Sequence, residues 1–478
     1  MDNQRIVNAT KWSAIAEILA KLILPISSMV LARLLTPEAF GVVATISMIV
    51  SFAEIFTDAG FQKYIIQHEF TDAQDRDEST NVAFWSNLTL SFILWGIIAI
   101  IEEPLAKLVG NPGLGYVITI ASVSIPLQAF SSIQMANYKR DFDFKTLFKV
   151  RFIGVLIPLI VTIPLAFVLR SFWALVIGTI AVNLVNAVVL TAYSNWKPRF
   201  FFSWKKLREM LSFTIWSMIE SVSIWLTGYI DIFIVGIALS QYYLGLYKTS
   251  MTTVGQIMSV ITAATTPVLF SALSRLQTNR NEFEHLFFQF QKLIGILIIP
   301  LGVGIYVFRD FITLILLGSQ WSEAADFLGL WGLTSAITIV LAHYSSEVYR
   351  SLGKPKLSVL AQVLHIIVLW PVIQIAVQHG FDVLCYARAI VRLELVLVQL
   401  IIMYIVIKLS PWKMIKNITP SIIASIVMGV SGYTLLQFSQ SITWNICSII
   451  ICCALYFSII SVFKDERKRM INFIDKLH

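Results

Sequence analysis

About fourteen apolar runs fill this sequence, each of roughly 20 residues, the length a helix needs to cross the hydrocarbon core of a bilayer. They lie near 12–34, 38–59, 80–101, 115–135, 150–170 and 172–194, then near 211–236, 242–270, 288–308, 323–346, 357–378 and 382–407, and finally near 418–438 and 442–463. Little chain is left between them. With 57% hydrophobic and 13% charged residues over 478 positions, a water-soluble domain large enough to hold its own catalytic site is excluded. The expected fold class is an all-α polytopic membrane protein of about 14 transmembrane helices.

An even number of crossings returns the chain to its starting side, and the basic residues say which side that is. Short cytoplasmic loops collect Lys and Arg. Most of the 36 basic residues fall on one side, in loops around 63–76, 139–151, 197–208, 275–292, 350–356 and 408–416 and at both ends of the chain. Only Arg33, Lys107, Arg170 and Arg309 fall on the other, and Lys21, Lys248, Arg388 and Arg392 lie within spans. Both termini are therefore expected in the cytoplasm, with the chain as a multi-pass protein of a cytoplasmic membrane. The net charge of +8 follows from this topology and from attraction to anionic headgroups, and calls for no nucleic-acid partner. No cleaved signal peptide is expected at the start of the first run. Cys385, Cys447, Cys452 and Cys453 sit inside apolar runs without metal-ligand spacing, so neither disulfides nor a metal site are expected.

The runs also repeat. "LARLLTPEAFG" (31–41) is answered by "VGIALSQYYLG" (235–245), and sliding residues 10–45 forward by 204 positions, from Thr10 to Thr214, aligns Trp12 and Ser13 with Trp216 and Ser217. The same slide aligns Gly41 with Gly245 and Thr45 with Thr249. Because each copy holds six runs, both copies enter the membrane the same way, as in parallel transporter repeats. This gives a six-helix lobe at 1–200, a second at 201–408, and two added helices with a basic tail at 409–478. The segments 137–151 and 195–212 mix bases with aromatics and read as interfacial helices, the second also being the natural linker.

Neither a phosphate-binding loop ending in Lys-Ser or Lys-Thr nor a His-Glu-x-x-His pattern occurs, and the outer loops are short. What remains as chemistry is the set of ionisable residues at membrane depth, which are costly and often functional. Lys21 and Lys248 correspond across the repeat to Trp225 and Ala44, so neither charge belongs to the duplicated scaffold. Both are candidate substrate-binding residues. Structural alternatives are pairing of Lys21 with Glu17 one turn earlier, and snorkelling of Lys248 past Tyr242, Tyr243 and Tyr247. Arg388 and Arg392 share a helix face and are further binding candidates, the alternative being an ion pair to a carboxylate on another helix. Glu220, Asp231 and Glu54 are candidates for coupling or gating; Glu54, with Asp58 close to the cytoplasmic end of its run, could equally be a surface charge.

Longer stretches add a resemblance. "TKWSAIAEILAKLILPISSMVLARLLTPEAFGVVATISMIVSFAEIFTDAGF" (10–61), "YIDIFIVGIALSQYYLGLYKTS" (229–250) and "EVYRSLGKPK" (347–356) resemble the polysaccharide-transporter flippases, Wzx-type, of the multidrug/oligosaccharidyl-lipid/polysaccharide exporter superfamily. The resemblance implies a V-shaped pair of lobes, like those of the drug exporters of that superfamily, alternating between inward-open and outward-open states in a bacterial inner membrane. It implies an undecaprenyl-diphosphate oligosaccharide as substrate for O-antigen or exopolysaccharide synthesis, with Lys21 and Lys248 suited to the diphosphate. No cofactor is implied beyond an H+ or Na+ gradient; polymerase and chain-length or export proteins are the implied partners. The alternatives are a cation-coupled drug antiporter, disfavoured by fourteen rather than twelve runs, a polysaccharide polymerase or ligase, disfavoured by the short outer loops, and a scaffold of an assembly complex.

Overall fold

A computed structural model describes residues 3–463 except 59, 195 and 355, and the side chains of these residues other than 3–11, 13–18, 58, 212–217, 219 and 220. It is helical throughout its long segments. In chain order these are α1 (Asn3–Leu34), α2 (Pro37–Asp58), α3 (Ala73–Ile100), α4 (Gly115–Arg140), α5 (Phe144–Leu169), α6 (Trp173–Tyr193), α7 (Trp204–Ala238) and α8 (Gln241–Arg275). Then follow α9 (Arg280–Val307), α10 (Ser319–Ser351), α11 (Lys356–His379), α12 (Phe381–Ile405), α13 (Pro411–Leu436) and α14 (Ile442–Val462).

Among the described residues, 12 helices are long and apolar enough to cross a membrane. The two others differ from them for separate reasons. Helix α12 has 25 residues but carries Arg388, Arg392 and Glu394 within its apolar stretch, and in α1 the side chains of 3–11 and 13–18 lie outside the description, which breaks its apolar stretch. The exposed apolar residues agree with a lipid surround: Ile160 and Phe167 on α5 and Ile450 on α14 each stay more than 60% accessible.

The chain forms two compact units, Met1–Lys248 and Thr249–His478. In the first, α4 packs between α3 and α6, α5 lies against α6 and α1, and α7 runs along α2. In the second, α10 packs between α9 and α12, α11 lies against α12, and α13 joins α9 to α14. The neighbour order α3, α4, α6, α5 thus recurs six helices later as α9, α10, α12, α11. Small residues allow the close approaches: a Cβ on Gly302 of α9 would lie 2.4 Å from that of Ala336 on α10, and one on Gly332 would lie 2.5 Å from the Ile305 side chain.

One contact in the first unit reproduces the repeat in space. A Cβ added to Gly41 on α2 would sit 1.9 Å from the carbonyl oxygen of Gln241 on α8. One added to Gly245 on α8 would sit 1.9 Å from the carbonyl oxygen of Pro37 on α2, and 3.2 Å from the Gly41 nitrogen. The 204-residue shift carries Pro37 to Gln241 and Gly41 to Gly245, so it exchanges the two halves of this contact. Backbone meets backbone here, and only glycine permits it. Trp216, the counterpart of Trp12, is among the residues whose side chains lie outside the description.

In the linker segment 195–212, residues 204–212 are helical as expected, but 196–203 are not. Pro198 disfavours helix at the residue before it, and 196–203 runs without helix across the N-terminal end of α3. Trp196 Nε1 donates to Asp77 Oδ1 (3.0 Å), the Arg199 amide to Asn81 Oδ1 (2.6 Å), and Trp85 Nε1 to the Arg199 carbonyl (2.9 Å). Lys206, in the first turn of α7, then reaches Asp75 (2.5 Å) and Glu78 (3.3 Å) of α3. Burial alone would lower the Lys206 pKa; hydrogen bonds to both carboxylates outweigh it and raise the pKa above the ordinary lysine value. The stabilisation is fully present below the unfolded-state pKa and is lost only as strongly alkaline pH passes the folded one. In the segment 137–151, Arg140 is likewise tied down, donating to the carbonyls of Ile65 (2.8 Å) and His68 (2.7 Å) over the face of Phe70.

The reciprocal glycine contact leads to a stability test. Gly41→Val and Gly245→Val should each destabilise purified protein by about 1–3 kcal/mol or more through overpacking against a carbonyl, whereas Gly228→Val, at a site with open space, should leave its melting temperature nearly unchanged. Equal melting temperatures for all three in detergent would contradict the crossing.

Candidate functional site

Of the charged residues singled out by sequence, Asp231 and Lys248 lie close together in the first unit and Arg388 and Arg392 in the second. In the first unit, Asp231 lies on α7 and is 1% exposed. Its Oδ2 accepts from the Tyr247 hydroxyl of α8 (2.9 Å) and its Oδ1 from the amide of Ile232 (2.8 Å). A buried carboxylate needs such donors, because its desolvation is costly unless compensated. Lys248, the next residue on α8, holds its ammonium 5.3 Å from the centre of the Tyr229 ring on α7 and within electrostatic reach of Asp231. A cation over an aromatic face is worth about 0.5–2 kcal/mol.

From Tyr229 the contacts continue toward α2. Trp225 stacks on Tyr229 with centroids 5.3 Å apart, packs against Phe52 at 4.8 Å and donates from Nε1 to Ser51 Oγ at 3.0 Å. Shifted back by 204, Tyr229, Asp231, Tyr247 and Lys248 become Pro25, Ser27, Val43 and Ala44. The scaffold of the crossing is duplicated; the charges beside it are not. Lys21 lies half-buried on α1 and Glu54 half-buried on α2. The side chains of Glu17 and Glu220 lie outside the described residues, and with them the expected Glu17–Lys21 pairing.

In the second unit Arg388 and Arg392 both face the Trp331 ring of α10, at 5.0 and 3.9 Å from its centroid. Arg392 also donates to Ser335 Oγ (2.6 Å), one helical turn beyond Trp331. Glu394, off the face of these arginines, meets His365 Nδ1 of α11 at 2.8 Å, with His365 4% exposed. The guanidiniums are thus brought together on one aromatic plane, which suits Arg better than Lys. On α10, buried Glu347 pairs with Arg350, and the hydroxyl of Tyr349 donates to Gln399 Oε1 of α12 (2.7 Å).

Sequence reasoning did not select Tyr229, Trp331, Ser335 or His365, and it named Tyr247 only as a residue that Lys248 would snorkel past. The signal available was weak: Trp331 and Ser335 share one face of α10 by their spacing, and His365 is a lone imidazole in an apolar run. Among the described residues no group of three or more His, Cys, Asp or Glu side chains is arranged to hold a metal ion. All four cysteines are free thiols.

The profile of a family described as polysaccharide biosynthesis protein matches residues 30–326. The chain belongs to that family. Among its relatives, the succinoglycan biosynthesis transport protein ExoT of Rhizobium meliloti is 26% identical over 310 residues, which cover 64% of this chain and 62% of that protein. The match therefore spans less than two thirds of that relative's length. The lipopolysaccharide biosynthesis protein WzxC of Escherichia coli is 21% identical over 333 residues, 68% of this chain and 66% of the relative. In fold, the chain is similar to the lipid II flippase MurJ in its inward closed conformation, with a TM-score of 0.78 at 15% identity over 95% of this chain and 98% of the other. It is similar also to an inward-facing multidrug resistance transporter of the MATE family, in the MOP superfamily, with a TM-score of 0.58 at 13% identity over 86% and 98% of the two chains. The fold of this chain is therefore that of a multi-pass helical membrane protein.

The Asp231–Tyr247 bond is open to a direct test. Tyr247→Phe should lower the unfolding free energy by about 1–3 kcal/mol, since it leaves a buried carboxylate one donor short. Adding Asp231→Asn should recover part of that loss by removing the charge. Strictly additive losses in the double variant would show that the two groups do not act on each other.

Proposed function

We propose that this protein is a flippase: it moves lipid-linked oligosaccharide repeat units, carried on a polyprenyl diphosphate such as undecaprenyl diphosphate, from the cytoplasmic to the outer leaflet. Such units feed exopolysaccharide or O-antigen-type synthesis. The reading rests foremost on membership of the polysaccharide biosynthesis family with relatives named for succinoglycan transport and lipopolysaccharide synthesis. Likeness of fold to a lipid II flippase along nearly the whole chain is in keeping with it. No bond is made or broken in this reading. The work is to carry charge through an apolar medium, where even one elementary charge costs on the order of 3–10 kcal/mol.

In this proposal all fourteen long helices cross a bacterial inner membrane and both termini are cytoplasmic. The repeats 1–200 and 201–408 rock against each other, and 409–478 stands outside that pair. Lys21, Lys248, Arg388 and Arg392 carry the diphosphate. Asp231, with its bond to Tyr247 beside Lys248, is the gating or coupling group, together with Glu220 and Glu54. The asymmetry across the repeat favours this assignment: Lys21 and Lys248 correspond to Trp225 and Ala44 in the other copy, so the duplicated frame needs neither ammonium.

Two experiments check it. Reporters fused after residues 72, 144, 203 and 279 should read cytoplasm and those after 108 and 380 the outside; a cytoplasmic signal at 108 breaks the topology. In cells whose surface polysaccharide depends on this chain, Lys248→Ala and Lys21→Ala should abolish export at normal protein levels, while the two Lys→Arg variants keep part of it because the charge survives. Undiminished export by both alanine variants would remove these lysines from the transport path.

A further inference from the structure

In the second unit a pair of neutral polar groups stands apart from the charged cluster. Helix α10 contains a π turn over Ile339–His343, a feature that is rare and frequent at functional sites. Opposite it, α8 presents Thr265 and Thr266 immediately before Pro267. Two successive residues of each helix meet. Thr265 Oγ1 bonds the Tyr344 hydroxyl at 2.7 Å, in the interior. Thr266 Oγ1 lies 3.3 Å from His343 Nε2, at an accessible edge. Tyr344 is 2% exposed and held edge-on by Phe290 of α9 (5.8 Å) and by the His343 ring itself (5.1 Å). The buried pair therefore fixes the accessible one.

Placed in a membrane span, an accessible imidazole beside an accessible hydroxyl is costly against lipid, and such groups line water-filled paths instead. Their chemistry is that of a neutral donor and acceptor set: hydroxyl and imidazole each both give and take hydrogen bonds. A diphosphate calls for cations, which this pair lacks. Adjacent sugar hydroxyls call for paired donors and acceptors about 3 Å apart.

Building on the flippase reading, we propose that Thr266 and His343, set by the π turn of α10 against Pro267 of α8, bind hydroxyl groups of the oligosaccharide and so contribute to sugar selection separately from diphosphate binding.

The test uses the full chain in nanodiscs with two probes, farnesyl diphosphate and farnesyl diphosphate bearing a disaccharide. Wild type should bind the sugar-bearing probe more tightly. Thr266→Val combined with His343→Phe should weaken that probe about tenfold, one hydrogen bond's worth, and leave farnesyl diphosphate unchanged. His343→Gln, which keeps a donor and an acceptor, should restore most of the loss, and melting temperatures identify any variant that fails to fold. Equal weakening of both probes, no weakening of either, or a wild type indifferent to the sugar overturns the proposal. If wild type binds neither probe, the flippase reading falls and takes this proposal with it.

Discussion

Inside a bilayer no water is present to satisfy a bare peptide group, and the whole architecture follows from that constraint. It confines the chain to helices and makes side-chain polarity at depth expensive. It also decides where irregularity is tolerated. Prolines occur inside α1, α8, α9, α11 and α13, and π turns interrupt α5 and α10. In water such interruptions cost little to solvate; here neighbours must do it. The π turn of α5 ends at Thr162, against which a Cβ on Gly178 of α6 would lie only 2.1 Å from the hydroxyl. The π turn of α10 is met by two threonines of α8.

The same constraint separates the packing frame from the charges set upon it. Packing within each unit relies on small residues, helix faces and hydrogen bonds that close on themselves, and its neighbour order recurs from one unit to the other. Charges are placed on top of this frame with partners that differ between units: an aromatic ladder from Lys248 through Tyr229 to Trp225 in one, a tryptophan shared by two guanidiniums in the other. A duplicated frame carrying unduplicated charge has one set of folding solutions and two sets of chemical tools. That economy would serve the proposed flippase role, in which the cargo has an anionic head, a neutral glycan and an apolar tail.

How much of this could be read from the sequence depends on the range over which each feature is determined. Apolar length is local, so the long helices were legible, and the two glycines that the 204-residue shift aligns, Gly41 and Gly245, meet in one helix crossing. Lys248 and Asp231 stood out because their repeat counterparts are Ala44 and Ser27. What each charge touches was not legible, because Trp331 and His365 reach Arg392 and Glu394 only after particular helices pack. The π turns leave no compositional mark. Residues 196–203 misled for a definite reason: bases and aromatics suggest an amphipathic helix, but Pro198 and bonds to Asp77 and Asn81 of α3 convert them into a strap.

The crossing of α2 and α8 carries a consequence for ancestry. A contact in which Pro37 meets Gly245 and Gln241 meets Gly41 is self-complementary, the kind made across a two-fold axis between identical subunits. It needs nothing that a single six-helix chain lacks. Two copies of such a chain, inserted in the same orientation, could form it before any gene fusion took place. In a fused chain the two sides can diverge, but the point where their backbones touch keeps its demand for glycine on both.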